Sequence, residues 1–140
     1  MRKVNFSKIL PIKASLALEQ ISKFEEYSSY IPGCTSSKLI ERNQEYEIGE
    51  LEFTHMFKTY KIKSKNYYVE NTIRVKQIEG PFKVFEGMWT VLENETNSAQ
   101  ILFDANFELP FLLDNLVTDD MIDQFSNEAL ESFIKKTTNC

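Results

Sequence analysis

Apolar and polar residues alternate every second position through the middle of the chain, and only towards its C-terminal end does the period lengthen to that of a helix. From Cys34 to Phe107 the alternation divides into segments: Ser37–Arg42, Tyr46–Phe57, Thr59–Val69, Asn71–Ile78, Phe82–Leu92 and Ala99–Phe107. Each has the length and period of a half-buried strand. The breaks between them are polar or hold Gly and Pro, as at Asn43-Gln44, Gly80-Pro81 and Asn94 to Ser98, which marks turns between antiparallel neighbours. Alternation also names the inward face: Leu51, Phe53 and His55; Tyr60, Ile62 and Ser64; Ile73, Val75 and Gln77; Phe85, Gly87, Trp89 and Val91; Ile101, Phe103, Ala105 and Phe107.

From Thr118 to Lys136 the apolar residues Met121, Ile122, Phe125, Ala129, Leu130, Phe133 and Ile134 recur at three- and four-residue steps. This predicts one amphipathic helix, a rod of roughly 28 Å at 1.5 Å per residue. Thr118 is its N-cap; Asp119, Asp120 and Asp123 sit in the first turns and Lys135 and Lys136 in the last, the order that the helix dipole favours. The preceding run Phe111 to Val117 admits two readings: the first turns of one kinked final helix, or a separate turn at the open end of the sheet. At the front, Val4 and Phe6 lie in a strand from Lys3 to Leu10 that Pro11 ends. Ser15 then caps a helix with Leu16, Ala17, Ile21 and Phe24 on its apolar side. A second short helix or turn runs to Ile31, before the Pro32-Gly33 stop.

A strand, two short helices, about six further antiparallel strands and a long last helix make an α+β chain with one apolar sheet face to cover. That order is the helix-grip arrangement, a curved antiparallel sheet of about 6–7 strands wrapped on the C-terminal helix. All 140 residues are expected in one domain. Phe125 and Phe133 should face Trp89 and Phe103 across the interior.

Composition narrows this picture only a little. A hydrophobic fraction of 42% is ordinary for a folded soluble chain, and no apolar run is long enough for a membrane span. Lys8 and Lys13 interrupt the apolar residues behind the N-terminus, so no signal peptide is read. With Cys34 and Cys140 alone, a disulfide framework or zinc site is not expected, and the cytoplasm is the simplest setting. Cys34 is expected as a small buried residue. The net charge of −5 is unevenly spread: residues 1–70 carry 11 Lys/Arg against 9 Asp/Glu, residues 71–140 carry 5 against 12. Lys58, Lys61, Lys63 and Lys65 form the one basic cluster, the last three sharing a strand face. That face is either a solvated surface or a contact for phosphate or an acidic partner.

The candidate chemistry is that of binding. Trp89 on the inward face, with Phe85, Phe103 and Phe107, is placed either to fill the core or to line a cavity for an isoprenoid or acyl chain. His55 is the lone histidine, and no serine or cysteine motif supplies a nucleophile for it to serve. Gly80-Pro81 is a turn, since no Gly-rich run opens a helix as a phosphate loop requires. Tyr30 would either gate a cavity mouth or staple the short helices onto the sheet.

Three segments resemble one family. Tyr30-Ile-Pro-Gly-Cys-Thr-Ser-Ser-Lys-Leu-Ile40 is similar to the YPxFLPxC turn of the START-like coenzyme Q-binding family and the related ribosome association toxin RatA family. Glu79-Gly-Pro-Phe-Lys83 with Gly87-Met-Trp-Thr90 resembles their xGPFxxLxGxW strand pair, and Asp104-Ala-Asn-Phe-Glu108 their xxFxxxFEF strand. Tyr30 is followed here by Ile31, with proline kept only at Pro32, and Pro110 to Val117 is more apolar than the pattern. The resemblance implies a non-enzymatic carrier of ubiquinone or a related prenyl lipid, with no other cofactor, held by Trp89, Phe53, Tyr60, Phe85, Phe103, Phe107, Phe125 and Tyr30. Phe111, Leu112 and Leu113 would form the entrance and touch the inner membrane transiently. The alternative it implies is a protein whose Lys58, Lys61, Lys63 and Lys65 face meets ribosomal RNA of the large subunit and blocks subunit association. No DNA partner is expected. Cyclase chemistry, known in this superfamily, lacks a catalytic set here.

Overall fold

Strand β1 (Arg2–Leu10) pairs with the last strand, β7 (Ala99–Glu108), in an antiparallel register that sets Arg2 opposite Phe107 and Leu10 opposite Ala99. In this computed structural model, which describes residues 1–55, 58–95 and 97–138, that pairing adds the first strand to one edge of a seven-stranded sheet. Its order is β1-β7-β6-β5-β4-β3-β2, with β2 Cys34–Arg42, β3 Tyr46–His55, β4 Lys58–Val69, β5 Thr72–Glu79 and β6 Val84–Glu93. Every neighbouring pair from β2 to β7 is a sequential antiparallel hairpin, the meander expected from the alternation. Between β1 and β2 lie α1 (Ala14–Ser22) and a 3-10 helix (Phe24–Ser29). After β7 come α2 (Phe111–Leu116) and α3 (Asp119–Thr138). This is the helix-grip arrangement.

The predicted inward face of the last strands holds. Ala99, Ile101, Ala105 and Phe107 on β7, Gly87 and Val91 on β6, and Ile73 on β5 are buried. Leu10, Ala17, Ile21 and Phe133 join Ile73, Val91, Ala99 and Ile101 in one core cluster. This solid end of the domain lies where α1 and the C-terminal half of α3 meet the sheet.

Two glycines permit this packing. At Gly49 an added Cβ would come within 2.3 Å of the Phe24 ring, so only glycine lets the 3-10 helix sit against β3. Gly33 has φ +80, a left-handed turn that the carbonyl uses to accept the Thr54 N–H at 3.0 Å before β2 begins. The Gly80-Pro81 turn is held by the Gln77 carboxamide, which donates to the Phe82 carbonyl at 2.8 Å and accepts its N–H at 3.3 Å.

Several expectations are corrected. Helix α1 begins at Ala14 after Lys13, without a side-chain cap, so Ser15 is not its N-cap. The buried stripe is Ala17, Gln20 and Ile21, and Leu16 is 53% exposed. The three- and four-residue steps from Ala17 through Ile21 to Phe24 turn Leu16 outward. Strand β2 starts at Cys34, three residues earlier than the alternation indicates, because the Gly33 turn delivers Cys34 opposite Phe53. Cys34 is buried, as expected. The run 111–117 is a helix of its own: Val117 is extended at φ −101, ψ 113, so the final helix is not continuous with α2. Thr118 is the cap expected, its hydroxyl oxygen accepting the Met121 N–H at 3.1 Å.

Candidate ligand-binding site

The inner face of the sheet is filled at one end and open at the other. Around the core cluster the side chains are fully buried, but Leu51, Phe53, Tyr60, Ile62, Val75, Phe85, Trp89 and Phe103 are only half-buried, although they share that face and α3 runs over it. Close-packed interiors leave few such gaps. The half-buried set, of which Val75 and Trp89 pack against the core cluster, marks a candidate groove between the sheet and α3.

Aromatic rings organise the groove into three groups. Trp89 lies 4.6 Å from Phe103 and 5.7 Å from Phe6, and Phe6 stacks on Phe103 at 5.4 Å. These contacts follow from register, since Phe6 and Trp89 both pair with Phe103 across β7. Phe133 closes this group from α3 at 6.3 Å from Trp89. Phe85 and Phe107 belong to a second group built on Phe82, at 5.1 and 5.6 Å. Phe53 belongs to a third, meeting Phe125 of α3 edge-on at 5.8 Å. Phe125 therefore does not face Trp89 and Phe103, and it is 43% exposed. The helix turns by about 100° per residue, and eight residues from Phe133 to Phe125 carry the ring past the seam towards β3. Phe6 and Phe82 join these groups although the alternation did not single them out: Phe6 through the β1–β7 pairing, and Phe82 through the β6–β7 register that sets its neighbour Phe85 opposite Phe107.

The residues expected to form an entrance lie on α2. Phe111 is 75% and Leu112 77% exposed, while Leu113 is half-buried. Arg2 anchors α2 there: its Nε lies 3.1 Å from Asp114 Oδ1 and its Nη2 donates to the Asp114 carbonyl at 3.1 Å. A recess of about 260 Å³ opens beside this anchor, lined by Phe107, Leu109 and Phe111 with Arg2, Lys83, Glu108 and Asp114. A second, of about 280 Å³, lies between β1 and α3 against Val4, Phe6, Asp123 and Ser126.

Tyr30 sits at the opposite, closed end and packs against the core cluster, which is the stapling role. Its ring is 6.0 Å from Tyr27, and burial pushes its hydroxyl pKa up to about 12, with the Gln20 carboxamide opposing that shift. Burial likewise raises Tyr27, whose hydroxyl donates to the Ile21 carbonyl. Burial and the Glu47 carboxylate raise Tyr68, which donates to Glu47 Oε2 at 3.0 Å. Arg42 Nε donates to the other oxygen at 2.9 Å. Ser64 and Asn66, both buried on β4, hydrogen bond to each other at 3.0 Å. Tyr27 thus ties the 3-10 helix to α1, and Glu47 links β3 to Tyr68 of β4 and Arg42 of β2.

On the outer face Lys61, Lys63 and Lys65 share one row, as their spacing required. Lys61 is 3.4 Å from Glu52, Lys63 3.6 Å from Glu79, and Lys65 lies over the Tyr46 ring at 4.0 Å. Lys58 caps the Tyr60 ring at 5.4 Å. Pairing brings in a residue that the sequence reading passed over: Lys76 stands directly opposite Lys65. The His55 side chain and Cys140 lie outside the described residues. Among the described residues no group of His, Cys, Asp and Glu is placed to hold a metal, and no helix is long and apolar enough to cross a membrane.

A relative, the ribosome association toxin RatA of Rickettsia prowazekii (strain Madrid E), is 23% identical over 133 residues, covering 91% of this chain and 88% of its own. A START superfamily protein from Mycobacterium smegmatis superposes with a TM-score of 0.76 at 19% identity, over 95% of this chain and 92% of that one. The Zhui aromatase/cyclase of Streptomyces sp. R1128 does so with a TM-score of 0.85 at 15% identity, over 98% and 93%. Residues 10–134 match the family described as polyketide cyclase / dehydrase and lipid transport. The chain belongs to that family, with its START-like helix-grip fold.

Proposed function

We propose that this protein is a non-enzymatic carrier that holds a hydrophobic small molecule, a prenyl lipid of the ubiquinone type, in the groove between sheet and α3. The observation that carries this reading is the row of half-buried aromatic and aliphatic side chains on the covered face of the sheet, from Phe53 and Tyr60 to Trp89 and Phe103. Such a surface binds through apolar area, at about 25 cal/mol per Å² removed from water, with few polar anchors. Neither recess alone reaches the roughly 300–1,000 Å³ of typical ligand pockets, so the ligand enters by displacing α2 and the first half of α3. Phe111, Leu112 and Leu113 flank that route. In the cytoplasm, at the face of the inner membrane, they would meet the lipid first. The test is a titration with a short-chain ubiquinone read by Trp89 fluorescence, beside native mass spectrometry of protein extracted from a quinone-containing host. Saturable quenching and a bound lipid are expected; a flat titration with no co-purifying lipid overturns the reading.

A second reading is ribosome association, as the printed name of the Rickettsia prowazekii relative suggests. Like charges directly opposite across a ladder are unfavourable; Lys65 stands opposite Lys76, which pairs with Glu86 at 3.6 Å, and together with Lys61 and Lys63 this row is the surface on which a polyanion would act. Ribosome subunit profiles with added protein test it. Wild type should shift the profile and a Lys65→Gln, Lys76→Gln double variant should not; equal profiles for the two overturn this reading.

A further inference from the structure

An uncovered apolar surface lies on α2, where Phe111, Leu112 and Leu116 are 75%, 77% and 70% exposed on a helix of six residues. Single exposed apolar residues are ordinary, but three on two turns make a patch. Arg2 and Lys83 border this patch at the recess, whereas on its α3 side the charge is of one sign. From residue 84 to residue 134 the chain has no Lys or Arg and 11 Asp or Glu. Asp119, Asp120 and Asp123 follow the patch directly on the first turns of α3 and are all exposed, and Glu128 and Glu131 extend the same outward row. Among the described residues none of these five carboxylates is in an ion pair. Lys3 lines the same recess as Asp123 without forming an ion pair with it. Like charges three and four residues apart on a helix repel each other, so the row is held at a cost that a cationic partner would remove.

We infer that α2 and the first turns of α3 form a docking surface for a basic amphipathic segment of a partner protein. Its apolar side would cover Phe111, Leu112 and Leu116, and its Lys or Arg residues would meet Asp119, Asp120 and Asp123. The charge decides between occupants. The carboxylates on the α3 side favour a cationic partner over a nucleic acid, and a helix with Leu and Lys on opposite sides matches both features. Binding to vesicles separates such a partner from the membrane contact of the ligand reading. The surface adjoins the recess at Arg2 and Lys83, so a docked partner would stand at the mouth of the groove. The inference goes beyond the ligand reading and does not depend on it.

The experiment uses the full chain and a labelled amphipathic peptide of Leu and Lys, with a Leu and Glu peptide of the same pattern and vesicles of phosphatidylcholine with and without phosphatidylglycerol as the alternatives. The Leu/Lys peptide should bind with an affinity that falls as salt rises. Leu112→Ser with Leu116→Ser, and separately Asp120→Asn with Asp123→Asn, should each weaken binding about tenfold, or about 1.4 kcal/mol. Glu93→Gln with Glu95→Gln removes the same charge from the β6–β7 turn and should leave binding unchanged. Equal loss in that control would show only the field of an acidic protein, and would overturn the inference. So would equal binding of the Leu/Glu peptide, no binding at all, or co-sedimentation with the anionic vesicles in preference to the peptide.

Discussion

Trp89 on β6 and Phe133 on α3 face each other with ring centroids 6.3 Å apart, and this contact fastens the final helix to the sheet. Phe133 is 4% exposed and belongs to the core cluster. Phe133→Ala should therefore cost about 3–5 kcal/mol, the range for a buried aromatic truncated to alanine. Phe125→Ala removes a ring that is 43% exposed and, among the described residues, meets only the Phe53 ring, and should cost about 1 kcal/mol. Urea unfolding of the two variants beside wild type checks the contrast. Equal losses would mean that the groove under the first half of α3 is packed solid.

Gly49 offers a test of the closed end. A methyl group there would meet the Phe24 ring at 2.3 Å, closer than atoms tolerate. Gly49→Ala should destabilise by about 1–3 kcal/mol through overpacking. Adding Phe24→Leu should return part of that loss, a coupling that a double-mutant cycle measures.

Alkaline pH should loosen the same end. Burial raises the folded pKa of Tyr30 to about 12 from an ordinary value of 10.0. A pKa raised on folding contributes stability that is fully present below pH 10 and lost as pH climbs from 10 towards 12. Tyr27 and Tyr68 are raised in the same direction. The unfolding midpoint should fall over that window, and fall less in Tyr30→Phe. Tyrosine absorbance followed through the same titration should show a late-ionising fraction that this variant reduces.

Exposed residues of α2 allow folding to be tested apart from ligand uptake. Leu112 is 77% exposed, so Leu112→Ser should change stability by less than about 0.5 kcal/mol. Leu113 is half-buried against the domain and should cost more. If α2 is the entrance, quinone uptake followed by Trp89 fluorescence slows in Leu112→Ser while the unfolding midpoint holds.

Glu70 joins β4 to β5 with φ 53, a conformation that costs most residues but not glycine. Glu70→Gly should raise stability by up to about 1 kcal/mol, less the entropy that glycine adds to the unfolded chain. A midpoint that falls would show that this turn is held by its side chain.

Much of this architecture is local in origin and could be read along the chain. A period of two repeated from Tyr46 to Phe107 specifies strands, and short polar breaks specify hairpins, because only antiparallel neighbours can be joined so closely. Burial of Ala99, Ile101, Ala105 and Phe107 on one face follows from the same period. Thr118 could be recognised as a cap because capping depends on residues within one turn. Other features depend on contacts between distant segments. That Phe6 belongs with Trp89 required the pairing of β1 with β7, some hundred residues apart in the chain. That Phe125 turns towards Phe53 while Phe133 meets Trp89 was decided by how α3 rotates on the sheet, and one apolar stripe is compatible with several rotations. Whether the inward residues fill the interior or line a groove could not be legible in their identities, because the same Phe, Leu and Trp side chains do either. The separation between sheet and helix decides it, and that separation is a property of the packed whole.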